Sequence, residues 1–299
     1  MQIIIPLSGE GRRFLNAGYS DPKPIIKVHG RPIIEYVINL FPNEDDYIFI
    51  CRDEHVKNFK IDEILLKLKP KSKVLIAKGI KLGPVYPVSM AYDYIKDTEP
   101  VIVSYCDYFM DWDYEDFKKK VEINQCDGAI PAYSGFHPHL LPENNFYASM
   151  KVDSRSYMEE IKEKHSFTSF KGDSPQSPGT YYFKSGKLLK KYFTEMLQRG
   201  EALNGEYYVS LVYNLLKEQK EKIYVYDKIP YFCQWGTPED LDEYNFWIKN
   251  IVQCTDNESL ISEAQKKFPH YHLELINKII DYWKGFMEKT NIHVTKNYD

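Results

Sequence analysis

The stretch Ile3-Ile-Ile-Pro-Leu-Ser-Gly-Glu-Gly-Arg-Arg-Phe14 decides the fold. Its first five residues are an apolar run too short for a core helix and long enough for a strand buried on both faces. Ser8-Gly9-Glu10-Gly11 then ends the strand in a loop whose glycines let the backbone approach an anion and aim N–H groups at it. The pattern repeats downstream. Residues 47–51, 73–77 and 100–105 read as further buried strands, with helical spacing over 32–41 and 84–95. Strand–helix alternation of this kind predicts a Rossmann-like α/β domain with a mostly parallel sheet flanked by helices on both faces.

Farther along, residues 127–133, 147–152, 157–161 and 179–183 read as strands joined by short loops, so antiparallel additions make the sheet mixed. Helices are predicted over 185–198 and 206–219, a strand over 222–227, and helix for most of the chain after 240. A soft boundary near Cys254-Thr-Asp-Asn257 divides a domain of residues 1–252 from a helical extension of residues 253–299. In that extension Leu273, Ile276, Ile280, Trp283 and Met287 are spaced 3, 4, 3, 4, an apolar seam on a helix begun by Pro269. The seam is expected to dock on its own subunit, with a homodimer contact as the alternative.

Composition narrows the function. The 299 residues carry 39 Lys+Arg against 43 Asp+Glu, a net charge of −4, which disfavours a globally basic nucleic-acid binder while leaving room for a local cationic pocket. Five dispersed cysteines with no CxxC pair read as reduced thiols, which suggests neither a disulfide frame nor a zinc site. There is no leader pattern, and no run approaches the roughly 18 apolar residues that span a bilayer. A cytoplasmic protein without membrane contact is the expectation. Tyrosine is abundant, at 25 residues.

A lone G-x-G is weak, and neither a third fingerprint glycine nor a Walker pattern follows. The combination says more. Gly9-Glu-Gly11-Arg-Arg13-Phe14, then Asp21-Pro-Lys23-Pro24, then Gly30-Arg-Pro-Ile-Ile34, resembles the signature of the nucleotidyltransferases that activate sugar phosphates, with a GT-A-type fold. The likeness runs from Ile3 to about Tyr244. It implies that Leu7, Ser8, Gly9, Glu10, Gly11, Arg12 and Gly83 surround a nucleoside triphosphate, that Arg13 grips its phosphates, and that Lys23 neutralises charge at the reacting phosphorus. Asp107 ends the strand of residues 101–107, where ligands sit in an open α/β sheet. A carboxylate there suits Mg²⁺, and the resemblance puts the metal-binding aspartate at this place.

The resemblance extends to an acceptor. Glu163-Lys164 matches the pair that reaches the acceptor's hydroxyls and phosphate, and Gly179 matches the glycine of the strand lining that pocket. Tyr181, Tyr182 and Tyr208 are expected to line it too. Gly236-Thr-Pro-Glu-Asp240 matches a further motif, with one departure. Many relatives carry a second metal-binding aspartate two residues before that glycine, and this chain has Gln234. Asp107 with phosphates and water, or Glu239, Asp240 or another residue, would then hold the metal.

The reading is an NTP joined to a phosphorylated sugar or polyol, giving an NDP-product and pyrophosphate with Mg²⁺, in supply of surface polysaccharide synthesis. A glycosyltransferase using Asp111 and Asp113 is one alternative, although that pair precedes a helix and suits a cap. A regulatory homologue that binds nucleotide without turnover is the other. The pairs His137/His139 and His270/His272 lack carboxylate or thiol company for a metal.

Overall fold

The computed structural model describes residues 1–78, 82–290 and 292. The first part of the chain runs β1 (Gln2–Leu7), α1 (Arg12–Asn16), β2 (Lys27–Val28), β3 (Arg31–Pro32), α2 (Ile33–Asn39) and β4 (Asp46–Arg52). It continues with α3 (Asp53–Phe59), α4 (Ile61–Leu68), β5 (Lys73–Ala77), α5 (Val85–Ser89), β6 (Val101–Ser104), β7 (Tyr108–Asp111) and α6 (Tyr114–Asn124). Then come β8 (Gly128–Ala132), β9 (Ala148–Val152), β10 (Met158–Glu163), β11 (Thr180–Phe183), α7 (Gly186–Arg199) and α8 (Val209–Glu218). The chain closes with β12 (Ile223–Asp227), β13 (Tyr231–Gln234), α9 (Pro238–Gln253), α10 (Asn257–Lys267) and α11 (Leu273–Lys289).

Seven strands form one sheet in the order β12-β8-β11-β6-β1-β4-β5. Only β11 runs antiparallel to its neighbours, so the sheet is mixed and mostly parallel, as the sequence predicts. The apolar run of β1 serves two cores at once: Ile3, Ile5 and Leu7 enter one cluster and Ile4 the other. That two-sided burial explains why the strand shows no polar alternation. From β1 the chain moves outward to β4 and β5, then returns to β6 on the other side of β1. The loops after β1 and β6 therefore flank a topological switch point, where a crevice opens at the carboxyl ends of the strands.

Several local expectations are corrected. The helix expected over 84–95 is α5 followed by a separate 3-10 turn at Tyr92–Tyr94. Pro87 is tolerated in a first turn, but the bonds after it, Met90 N–H to Pro87 O and Ala91 N–H to Val88 O, are i to i+3 and close the helix early. The helix expected from 206 begins at Val209, because Tyr207 pairs with another loop: its N–H donates to Leu82 O and its carbonyl accepts from Val85 N–H. Residues 53–68, given no element from sequence, are two short helices separated by Lys60 in the left-handed region. The strand pair β7–β13 was also not foreseen, and it carries Asp107 and Gln234 to the same edge.

The C-terminal helix starts at Leu273 rather than at Pro269. His272 caps it, its Nδ1 accepting from Leu275 N–H at 3.2 Å. Ile276, Ile280 and Trp283 of the seam are buried, while Leu273 is 51% exposed and Met287 lies at the margin. The buried face packs into one cluster with Phe14, Ile26, Tyr36, Trp235 and Tyr244. The buried face of the seam thus docks on its own subunit. Among the described residues, no helix is long and apolar enough to cross a membrane.

Candidate active site

The crevice at the switch point is a cavity of about 780 Å³. Leu7 lines it from the end of β1, Ser8, Gly9 and Glu10 from the loop that follows, Lys23 from the next 3-10 turn, Gly83 from the loop before α5, and Asp107 from the short link between β6 and β7, three residues past the end of the strand expected to reach it. Residues far apart in sequence meet here because β1 and β6 are neighbours in the sheet. Pro22 and Pro24 flank Lys23 and fix its turn, in which Ile25 N–H bonds to Pro22 O at 3.0 Å. Lys23 Nζ then reaches Asp107 Oδ2 at 2.6 Å. Burial works to depress the Lys23 ammonium, but the Asp107 carboxylate outweighs it and the net shift is upward.

Asp107 is held at both ends. Its backbone carbonyl accepts from Trp235 N–H at 2.9 Å, which brings the start of the Gly236-Thr-Pro-Glu-Asp240 segment against it. At Gly236 a Cβ would stand 2.6 Å from Gln234 Nε2 and 2.7 Å from Asp107 Oδ2, so the absence of a side chain lets these two groups come together. Thr237 caps α9, accepting from Asp240 N–H and donating to Asp240 Oδ2 at 2.8 Å. Burial pushes the Asp240 carboxyl up to about 6, against the opposing pull of Thr237 and of the Arg13 guanidinium. Glu239, the other acid of that motif, is exposed.

Gly11, Arg12 and Arg13 do not line the cavity wall. Gly11 takes the left-handed conformation at φ 67 that starts α1, and Arg12 is 77% exposed, its guanidinium on Glu10. Arg13 is exposed, with its charge felt at both Lys23 and Asp240. Gly83, at φ +82, abuts Tyr207, whose backbone nitrogen would lie 2.7 Å from a Cβ there. No side chain fits.

The acceptor-side residues also stand behind the wall instead of forming it. Lys164 Nζ sits 5.5 Å from the ring centre of Tyr208, which does line the cavity. Glu163 accepts from Ser210 Oγ, and burial pushes its carboxyl up to about 7 against the pull of Ser210 and Lys164. Gly179 packs under the Tyr105 ring, where a Cβ would be 2.7 Å from a ring carbon, and its carbonyl accepts from Tyr105 N–H at 2.9 Å. Tyr105 is the wall residue and Gly179 its support. Tyr181 and Tyr182 are buried in the two cores and do not line the cavity.

Sequence reasoning does not reach several charged wall residues, among them Arg52, Glu54 and Glu206. Arg52 ends β4 and Glu54 follows it, so the rule that places ligands at the carboxyl ends of strands could have found them; Glu206 carries no such signal. Other candidates are occupied elsewhere. Asp113 caps α6 through Asp116 N–H at 2.8 Å, and neither it nor Asp111 lines the cavity. His137 is held down to about 4 by burial, and His139 Nε2 is paired with Tyr133 OH at 3.0 Å. Cys106, beside Asp107, is pushed up to about 12 by burial, as an inert core thiol would be.

No protein-family model matches the chain. The bifunctional protein GlmU of Methanocaldococcus jannaschii is 26% identical over 275 residues, 88% of this chain and 58% of that protein. GlmU of Methanococcus maripaludis is 32% identical over 98 residues, 32% of this chain and 23% of that protein. The chain thus spans less than two thirds of the length of these curated relatives. Among solved structures, the nucleoside-diphosphate-sugar pyrophosphorylase from Vibrio cholerae superposes with a TM-score of 0.64 at 18% identity, over 81% of this chain and 98% of that one. The inositol-1-phosphate CTP transferase from T. maritima gives 0.61 at 13%, over 80% and 90%. At such identities the likeness is one of fold. Architecture and likeness agree on this point: the chain has the Rossmann-like fold, with a mixed, mostly parallel sheet, that these nucleotidyltransferases share.

Proposed function

We propose that the chain joins a nucleoside triphosphate to a phosphorylated sugar or polyol and releases pyrophosphate. The observation that carries this reading is the Lys23–Asp107 pair on the wall of a cavity that the glycine loop also lines. An acceptor phosphate oxygen attacks the α-phosphorus; the new P–O bond forms as the bond to the β-phosphate bridge breaks. The nucleophile is already an anion, so no general base is required, and the barrier is electrostatic. Two unit charges 4 Å apart repel by roughly 4 kcal/mol at an effective dielectric of 20. Lys23, Arg13 and Lys164 counter that repulsion and stabilise charge on the leaving pyrophosphate. Holding both reactants in line contributes about 7–11 kcal/mol.

The residues fit a magnesium ion that arrives with phosphate. Asp107 supplies a hard carboxylate oxygen, Gln234 lies beside it, and the missing side chain of Gly236 leaves room. Among the described residues no three His, Cys, Asp or Glu side chains gather into a cage, so phosphate and water oxygens would complete the shell. Bound there, Mg²⁺ would supply Lewis-acid neutralisation of phosphate charge. The product would be an activated precursor of the kind that surface polysaccharide synthesis consumes.

The test is pyrophosphate release from CTP, UTP, GTP, dTTP and ATP, each against sugar 1-phosphates and polyol phosphates. Release from one pairing, lost in Asp107→Ala, is expected; silence across the matrix would overturn the reading. Gln234 at the metal edge favours a second reading, a homologue that binds nucleotide without turnover. Calorimetric NTP binding with no product from any acceptor would select it.

A further inference from the structure

We infer that Arg52 is a positioning residue that neutralises the Glu10 carboxylate within the nucleotide loop and holds it off the path of the phosphates; the inference rests on the nucleotide reading above. Glu10 lies between Gly9 and Gly11, in the loop whose backbone N–H groups would meet the triphosphate. A carboxylate on that loop repels the ligand the loop is built to take. The sheet supplies the remedy. Leu7 is in register with Cys51 of β4, so Arg52 emerges beside the glycine loop, 42 residues later in the chain.

Its Nη1 is 3.4 Å from Glu10 Oε1, and its Nε is 2.9 Å from Glu54 Oε2. The guanidinium is thereby fixed between two carboxylates, a bridge that its planar fork of donors can make and an ammonium makes less well. Arg12 reaches the other oxygen of Glu10 from outside and is 77% exposed, where solvent screens it. Arg52 is 29% exposed, and both it and Glu10 line the cavity. Of Arg12 and Arg52, Arg52 is thus the one that lines the ligand space. Removing it takes a cation away from a half-buried carboxylate on the cavity wall.

The experiment measures binding by calorimetry with CTP, UTP, GTP, dTTP and ATP. The tightest binder and its parent nucleoside are then carried to the full-length variants Arg52→Ala, Arg52→Lys and Arg52→Ala/Glu10→Gln. Arg52→Ala should weaken triphosphate binding by about tenfold or more, since like charges placed together are costly, and should leave nucleoside binding unchanged. Arg52→Lys should lose less. The double variant should regain most of the loss, because the charge that Arg52 masks is gone. Melting curves for every variant check that the fold is retained.

Equal triphosphate affinity in wild type and Arg52→Ala overturns this inference alone. So does a double variant as weak as Arg52→Ala, which would make Arg52 a direct phosphate ligand. A wild-type chain that binds none of the five triphosphates overturns the functional reading and this inference together.

Discussion

Lys23 Nζ lies 2.6 Å from Oδ2 of Asp107, an ion pair closed across 84 residues of sequence on the wall of the cavity. One partner comes from a proline-flanked turn and the other from a short link between two strands, its carbonyl held by Trp235 N–H, so both arrive with little freedom to move apart. A cation and a carboxylate in contact, opening on one cavity, suit a ligand that brings both phosphate and a divalent ion. Four outcomes are expected from this geometry.

Lys23→Ala should cut pyrophosphate release by about 10²–10³-fold, the usual cost of removing a group aimed at developing charge. Asp107→Asn should lose comparably. Both proteins should still melt cooperatively, since neither residue belongs to an apolar cluster. Activity within a few-fold of wild type in either would remove the pair from the mechanism.

Gly236→Ala should separate activity from stability. The added Cβ would press on the Gln234 amide and the Asp107 carboxylate, at 2.6 and 2.7 Å, and both are side-chain ends able to swing away. The fold should therefore survive with a small change in melting temperature, while turnover falls because Asp107 is displaced. A large stability loss with normal kcat in the remaining folded protein would contradict this.

Acceptor use should depend on pH through Glu163. Burial raises its carboxyl to about 7, so below that value it is mostly protonated and a poorer partner for the Ser210 hydroxyl and for the Lys164 ammonium behind the cavity wall. The kcat/KM for the phosphorylated acceptor should rise with pH through about 7, where free-enzyme ionisations are read. Glu163→Gln should stay low and lose the inflection. The same shift has a stability counterpart. The folded value lies above the ordinary 4.5, so between about 4.5 and 7 the folded state keeps a proton that the unfolded chain has released. Stability from this group falls as pH rises through that window. The Gln variant should lack that contribution in urea titrations at pH 5 and 8.

Phe286→Ala should destabilise the whole chain by about 3–5 kcal/mol, the range for truncating a buried aromatic. Phe286 is fully buried on α11, and its ring meets Phe109, Tyr231 and Tyr244 at centroid distances of 6.0, 5.9 and 6.2 Å. Those partners span the strand pair that carries Gln234 and the helix that follows Gly236. A single transition shifted to lower denaturant is expected in urea. A separate early transition, with the rest unchanged, would instead mark an independent C-terminal unit.

Much of this is legible in the amino-acid sequence. The apolar runs of β1, β4, β5 and β6 declare buried parallel strands because burial on both faces removes polar alternation. Asp107 is findable because ligands sit at the carboxyl ends of such strands and the resemblance puts an aspartate there. Lys23 is findable because it stands between two prolines in a motif that resembles the family's, beside the glycine loop. The cap at Asp113 followed from its place before a helix.

What misled were positions governed by partners distant in sequence. Nothing local delays α8 to Val209; Tyr207 is taken up by hydrogen bonds to Leu82 and Val85. Nothing local separates Tyr208, which faces the cavity, from Tyr181, which packs into a core with its hydroxyl bonded to Ser177 Oγ at 3.0 Å. Arg52 and Glu10 are unremarkable charges until neighbouring strands bring them together.

The sequence by itself determined the strand–helix alternation, the glycine loop and the identity of the charged residues in it, because these depend on periodicity and residue type over short spans. Only the tertiary structure decided which charges face one another, that Gln234 adjoins Asp107, and that the C-terminal seam covers its own core. The physical reason is range: backbone preference acts over a few residues, whereas ion pairs and apolar contacts form wherever the sheet order places their owners.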